Sequence, residues 1–526
     1  MAIGRRVSLG LDVGGTNIDV ALIDADEGVV SYYGKFSRYV YTIAEALMIE
    51  PVRQYVESAK RVMLSTSRVL NTFLETKLPS TVLVLAPGPG LPSPTNLAED
   101  CIIVEGYVDP RGIILEDVDA GKVARALKER SVESVAIVSK FSIRNPILEQ
   151  RIFEAVSRIV PRERIAVSYR IPFLDYRRRA ATTVLTAKLK SVLYDMVREL
   201  GPWSKKLYFI KGDGGALPLE LAIDVAALAL GSSQASVVIG TQAVLGNVTG
   251  IVIDVGGTTI DVVPIVNGEP LAATLRFRDF DTHITVPRFE SIVAGGDCGI
   301  TVVSGRGRVV PRRVGAPAAF GGEQATVTDA LNYALELDIG DHTRSRRIVE
   351  ELAGKHGMDP RDLAWDVVDD VVDRVVGLVK RVGCQGPLIA TGYLGKYIVP
   401  LIAKKCGVSY IVPEHHHVLN AIGAATTSFS LEVGVYYDGV RGRAVFTPTG
   451  RIVETGRRFV DREYVIEMAR DELFSVARRL DAEDFVGDIE VVHYDEFTVV
   501  EGGLPQGMIV HCIVRSRPKA LIRIVG

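Results

Sequence analysis

A chain of 526 residues is longer than one hydrophobic core organises, so it divides into two to four domains. Apolar residues at 47% beside 24% charged residues exclude long disordered stretches. With 61 basic and 64 acidic residues and a formal net charge of -3, no electrostatic footprint for nucleic acid or an anionic membrane stands out, and a small molecule is the default ligand.

The first residues, MAIGRRVSLGLDVGG, carry an aspartate and glycines where a signal peptide needs a continuous apolar stretch, which predicts a cytoplasmic protein. Cys101, Cys298, Cys384, Cys406 and Cys512 form no C-x-x-C pair, so neither a disulfide framework nor a zinc site is expected. Sparse Gln and Asn beside abundant Arg, Val and Glu lean towards proteins of hot environments.

Two decapeptides organise the chain. Leu11-Asp-Val-Gly-Gly-Thr-Asn-Ile-Asp-Val20 and Ile253-Asp-Val-Gly-Gly-Thr-Thr-Ile-Asp-Val262 differ only at Leu11/Ile253 and Asn17/Thr259. In each, an apolar run ends in Asp, glycines turn the chain, and an alternating run follows; the pattern predicts a β-hairpin. Neither shows the spacing of a Rossmann fingerprint or a P-loop, where glycines lead into a helix. Turns without Cβ atoms at Gly14, Gly15, Gly256 and Gly257 let backbone N–H groups approach anionic oxygens. Thr16, Asn17, Thr258 and Thr259 add side-chain donors. Two such hairpins facing each other would clamp a polyphosphate. Asp12 and Asp254, just before the turns, are hard oxygen ligands suited to Mg²⁺; Asp19 and Asp261 are the next candidates.

Further along, Arg177-Arg178-Arg179 reads as a solvated turn without function. Residues 225–253 carry no charge, but Ser232, Ser233, Gln234, Gln242 and Asn247 interrupt them, which predicts a buried helix flanking a strand and not a membrane span. His415-His416-His417 reads as loop histidines, because adjacent residues point in different directions and cannot all reach one ion. From about residue 430, strand-like runs at Val433–Tyr436 and Met508–Val514 flank an amphipathic helix near Tyr464–Leu480.

The paired hairpins resemble the phosphate motifs of the actin, heat-shock chaperone and sugar-kinase superfamily. Gly231–Gly246 and Asn420–Thr426 resemble its two interdomain helices, rich in small residues. Gly386-Pro-Leu-Ile-Ala-Thr-Gly-Tyr-Leu-Gly395 resembles its adenosine-binding stretch, which brings in Gly392 and Gly395. Within the superfamily the chain is similar to the hydantoinase and oxoprolinase A subunits. The segments that carry this likeness are Leu64–Asn71 with Glu75, Lys211-Gly-Asp-Gly-Gly215, Ala294-Gly-Gly-Asp-Cys-Gly-Ile300 with Gly295 and Gly296, and Ala325-Thr-Val-Thr-Asp-Ala330. It departs from that family at Ser232-Ser-Gln-Ala235, at Asp297-Cys298, and at the proline-rich Leu85–Pro94.

This resemblance implies an α/β fold in which two ribonuclease H-like domains flank a nucleotide cleft, followed by a small α+β C-terminal domain. The boundaries expected are 1–185, 186–429 and 430–526. It implies ATP and Mg²⁺ as cofactors, a small cyclic amide as substrate, and a separate B subunit as partner. It also implies hydrolysis through phosphorylation of the amide carbonyl oxygen, with Asn71 and Glu75 orienting the acceptor and Lys140, Lys211 or Asp213 near it. A metabolite kinase and a switch ATPase acting on a protein partner are the alternatives.

Overall fold

The computed structural model describes residues 7–59, 61–74, 78–90, 93–383 and 385–525. Its organising element is a sheet that occurs twice. In the first copy Val7–Val13, Asn17–Asp24 and Val29–Ser37 form an antiparallel meander; Val62–Thr66 adds in parallel to Val7–Val13, Leu207–Ile210 adds in parallel to Val62–Thr66, and Ala216–Pro218 closes that edge. In the second, Gly250–Val255 and Ile260–Val266 form the hairpin, Leu388–Thr391 adds in parallel, and Tyr410–Ile411 follows. The central strands are continuous apolar runs because helices cover both faces; every residue of Val62–Thr66 and Leu388–Thr391 is buried. This is the duplicated ribonuclease H-like α/β plan. The first sheet draws strands from both sides of residue 185.

Insertions enlarge both halves. Between Val62–Thr66 and Leu207–Ile210 lies a four-stranded parallel sheet in the order Ile165–Val167, Ser134–Ser139, Thr81–Ala86, Asp100–Ile103, with its own apolar cluster. The second half carries two hairpins, at 272–287 and 298–313, and the helices Val327–Ala334, His342–His356 and Pro360–Val382.

Two helices, Ser232–Leu245 and Leu419–Thr426, cross between the sheets with their backbones in contact. A Cβ at Gly240 would lie 2.0 Å from the Leu419 carbonyl oxygen, and one at Gly423 only 1.8 Å from that of Ser236. Gly10 brings the first sheet equally close, 2.0 Å from the Ala421 oxygen. The small residues seen in the sequence are what this approach requires. The uncharged stretch from 225 supplies the first of these helices and the strand Gly250–Val255, and among the described residues no helix is long and apolar enough to cross a membrane.

The arginine triplet corrects the expectation of a solvated turn. Asp175 caps the long helix Tyr176–Leu200 by accepting from the N–H groups of Arg177 and Arg178, so the triplet opens a helix. Arg179 is fully buried and donates to the carbonyls of Ser139, Lys140, Phe173 and Leu174. Its counter-charge is Glu149, itself buried and hydrogen-bonded by Ser139 and Ser168 N–H groups. A buried guanidinium needs that set of acceptors.

The C-terminal sheet, in the order Ile452–Glu454, Arg443–Thr447, Glu432–Asp438, Leu504–Ser516, Ile489–Glu501, packs with the helix Arg462–Arg479. Val433, Val435, Phe446 and Leu473 share one core with Leu9 and Leu11, so this domain is fused to the first. The last residues return to the seam between the halves, where Ile524 joins the cluster of Val237 and Val238 and its N–H donates to Ala243.

Candidate active site

The two decapeptides fold identically. Val13 pairs with Ile18 and Val255 with Ile260, and each turn closes with the same bond, from Gly14 N–H to Asn17 and from Gly256 N–H to Thr259, both 3.0 Å. The tips approach across the gap: a Cβ at Gly257 would lie 2.7 Å from Thr16 Oγ1. Between them opens a cleft of about 550 Å³.

Asp12, Gly14, Gly15, Thr16, Asn17 and Asn71 line that cleft from the first domain; Asp254, Gly256, Gly257, Thr258, Thr259, Gly296 and Gly392 line it from the second. Two anticipated glycines sit behind the wall. Gly295 braces the second hairpin, its N–H donating to Thr258 at 3.0 Å, and Gly395 opens the helix Gly395–Cys406 beneath it. Glu75 lies outside the described residues. Lys211 and Asp213 line a different cavity, and Lys140 donates to the Pro89 carbonyl near the exposed proline-rich segment.

At the cleft floor Asn420 joins the halves. Its Nδ2 donates to Asp254 Oδ2 at 3.2 Å, to Ser233 Oγ at 2.9 Å and, more distantly, to Asp12 Oδ2 at 3.4 Å. Ser65 Oγ donates to Asp12 Oδ1 at 2.6 Å. Burial pushes the Asp12 carboxyl up to about 6, against the pull of the Ser65 hydrogen bond. Asp254 is pushed up to about 7 by its recessed position and then by the charge of Asp261. Asp19 and Asp261 are held: Asp19 by Lys35 Nζ at 2.6 and 2.8 Å, Asp261 by Gln234 Nε2 at 2.7 Å and Ser291 Oγ at 2.5 Å. Two carboxylates facing one space, with the neighbouring ammonium already engaged by Asp19, are short of counter-charge. This suits a hydrated divalent cation taking only two protein ligands. Among the described residues no cluster of three or more His, Cys, Asp or Glu could hold a metal on its own.

Several participants carry no motif. Lys35 comes from the third strand of the meander. Arg313, from the hairpin 298–313 of the second half, crosses to the first: its Nη1 donates to Gly15 O at 3.0 Å and its Nε to Tyr39 Oη at 2.9 Å, with the guanidinium over the Tyr39 ring. Asp297 N–H donates to Gly257 O at 2.7 Å, and burial raises its carboxyl to about 6. Thr328 lines the cleft and donates to Gly296 O, while Asp329 accepts from Ala318, Ala319 and Thr326 N–H groups, so the Thr-Val-Thr-Asp-Ala segment braces the loop behind the second glycine hairpin. His417 also lines the cleft; burial holds its imidazole down to about 4, and it packs against Tyr33, as does His415. The segment Ser232–Gln234, a departure from the family pattern, supplies Ser233 to Asp12 and Gln234 to Asp261.

A duplicated ribonuclease H-like fold thus sets two glycine hairpins and a pair of aspartates around one cleft. The chain belongs to the hydantoinase/oxoprolinase family: the model of that family's N-terminal region matches residues 8–160, and the hydantoinase/oxoprolinase model itself matches 179–433. It is 25% identical over 324 residues to an uncharacterized protein of Methanocaldococcus jannaschii, covering 55% of this chain and 46% of that one. It is 29% identical over 229 residues to the caprolactamase subunit alpha of Pseudomonas jessenii, covering 40% and 32%. The matched segments thus span less than half the length of these curated relatives. Among solved structures, a nucleotide-free acetone carboxylase chain superposes with a TM-score of 0.68 at 17% identity, over 99% of this chain and 89% of that one. The ATP-dependent caprolactamase of Pseudomonas jessenii does so at 0.61 and 20%, over 97% and 87%. At these identities the likeness is one of fold.

Proposed function

We propose that the protein is the ATP-binding subunit of an amide-activating hydrolase that phosphorylates the carbonyl oxygen of a small cyclic amide of the hydantoin, oxoproline or lactam type. The observation that carries this reading is the cleft itself: two glycine hairpins of the same fold face each other, with Asp12 and Asp254 joined through Asn420 at its floor. Family membership supports the amide as acceptor, and the relative named caprolactamase subunit alpha supports a separate B subunit that completes hydrolysis.

In this reading the backbone N–H groups of Gly15, Thr16, Gly257 and Thr258 bind the phosphate oxygens, while those of Gly14 and Gly256 close the turns. The stretch around Gly392, whose φ of 77° turns the chain after Leu388–Thr391, borders the adenosine. Asp12 and Asp254 would hold Mg²⁺, which when bound offsets phosphate charge. Lys35 supplies the nearest cation to the transferred group. The amide oxygen forms a bond to the γ-phosphorus as the bridge to the β-phosphate breaks; ADP leaves, the amide N–H gives its proton to solvent, and the resulting imidate phosphate has lost the resonance that protects an amide from water. The chain's contribution is positioning and charge.

The test follows ADP release from Mg-ATP against hydantoin, 5-oxoproline and lactams, with and without a candidate B subunit, while mass spectrometry follows ring opening. ADP release coupled to ring opening is expected. A stable phosphorylated product would identify a kinase instead, and turnover that needs only a protein partner would identify a switch.

A further inference from the structure

Away from the cleft, a second cavity of about 70 Å³ lies where the first domain meets the C-terminal sheet. Phe173, Leu221, Leu228 and Leu431 give it apolar walls. Its charged groups are matched: Lys211 Nζ donates to Asp213 at 2.6 Å and to Ser430 Oγ at 3.1 Å, Arg170 meets Asp224 at 3.3 Å, and Arg515 meets Glu432 at 3.8 Å. Three cations against three carboxylates leave no net field to draw an ion. The contrast is with the nucleotide cleft, where Asp12, Asp19, Asp254, Asp261 and Asp297 outnumber Lys35.

Two side-chain atoms of residues lining this cavity are buried without a hydrogen-bond partner among the described residues, the donor Arg170 Nε and His283 Nε2, and the histidine lies on the apolar wall. The His283 ring stacks on Phe173 with centroids 4.3 Å apart and planes 8° from parallel. One ring nitrogen bonds the backbone of Asp175, while Nε2 is buried with no hydrogen-bond partner among the described residues. Burial holds this imidazole down to about 3, so it is neutral at pH 7. A neutral imidazole that gives its one proton to the Asp175 carbonyl presents a bare acceptor at Nε2. An acceptor buried without a donor costs free energy that a ligand N–H would recover.

We propose that this cavity binds a small neutral molecule carrying an N–H donor on an apolar ring, of the lactam class. Its N–H bonds Nε2 of His283 and its ring lies against Phe173 and the leucines. At about 70 Å³ the cavity is well above the roughly 10–15 Å³ needed for a single water, which leaves room for a small ring. The choice of a lactam among N–H donors rests on the amide reading above; the matched charges and the bare acceptor do not. The site shares no lining residue with the nucleotide cleft, so binding there needs no nucleotide.

The experiment is saturation-transfer NMR on the full chain without nucleotide, with 2-pyrrolidinone as probe, N-methyl-2-pyrrolidinone as the probe lacking the donor, and 4-aminobutyrate as the charged, ring-opened control. Millimolar binding of 2-pyrrolidinone is expected, about tenfold weaker for the N-methyl compound and absent for 4-aminobutyrate. His283→Phe keeps the stacking and removes the acceptor, and should weaken 2-pyrrolidinone about tenfold. His283→Gln offers a carbonyl in its place and should restore part of the loss. Both variants should keep wild-type Mg-ATP binding, which certifies the fold. Equal binding of the two pyrrolidinones, undiminished binding to His283→Phe, or no transfer to a wild-type sample that binds Mg-ATP would overturn the site. Failure of ring opening with a B subunit present would instead count against the amide reading, so the two outcomes are separable.

Discussion

The proposed clamp turns on Asp12 and Asp254, and their burial makes the charged carboxylates costly. Folding raises their carboxyls from 3.8 to about 6 and about 7, chiefly by burial. A raised acid stabilises the folded state fully only below the unfolded value. That contribution is lost as pH climbs through the folded values, here between about 4 and 7. Asp254→Asn removes one such group, so the ligand-free variant should melt above the wild type at pH 8 by roughly 2 °C or more, with the difference shrinking towards pH 4. Thermal unfolding across that range checks the sign. The same variant should lose Mg-ATP turnover, and Mg-ATP binding to the wild type should release protons below pH 7, measurable by calorimetry in buffers of different ionisation heat.

Lys35 is the other residue whose role the geometry singles out. Its ammonium lies 2.6 Å from Asp19 and is close enough to Asp12, Asp254 and Asp297 to lower all three carboxyls. Lys35→Met keeps the apolar stem and removes the charge. We expect kcat to fall by roughly 10²-fold with far-UV circular dichroism unchanged; a loss smaller than tenfold would remove Lys35 from the phosphate machinery.

At the scale of elements, the helix pair decides how far the two sheets can be brought together. A methyl group at Gly423 would sit 1.8 Å from the Ser236 oxygen. Overpacking there costs about 1–3 kcal/mol, against the roughly 1 kcal/mol that alanine gains over glycine inside a helix. With backbone on both sides nothing yields easily, so Gly423→Ala should lower the melting temperature, as Gly240→Ala should. Gly354→Ala, in the helix His342–His356 remote from the seam, where an added Cβ meets nothing within 4 Å, should act only through propensity and raise the melting temperature.

These elements were legible because their signals are local. The hairpins are written twice in ten consecutive residues, and the helices announce themselves by small residues at helical spacing. What stayed hidden is tertiary. Gln234 and Asp261 meet across 27 residues, and Arg313 reaches Gly15 across 298, with no spacing to mark either pair. Arg179 read as a surface charge because its counter-charge, Glu149, lies in another helix. Gly295 and Gly395 resembled wall residues from their motifs, yet bracing a loop and lining a cleft use the same glycine in sequence.

For the whole molecule, the question is what holds the two halves at their present separation. Asn420 ties them at the floor of the cleft and Arg313 at its mouth, where it spans from the second half to Gly15 and Tyr39 of the first. Arg313 does so on the hairpin that would receive phosphate, so its guanidinium occupies the position from which a nucleotide's terminal phosphate would draw it. Arg313→Ala removes the mouth contact and leaves the floor intact. Hydrogen exchange should then rise at residues 37–41 in the nucleotide-free protein, and Mg-ATP should bind about five- to tenfold more weakly, as loss of one charge-assisted contact implies. Arg313→Lys keeps the charge but not the fork to Gly15 and Tyr39. If the contact works as a latch, Lys should behave like Ala in exchange while recovering part of the nucleotide affinity. Unchanged exchange in both variants would assign closure to the floor alone, where Asn420 bonds the two aspartates directly.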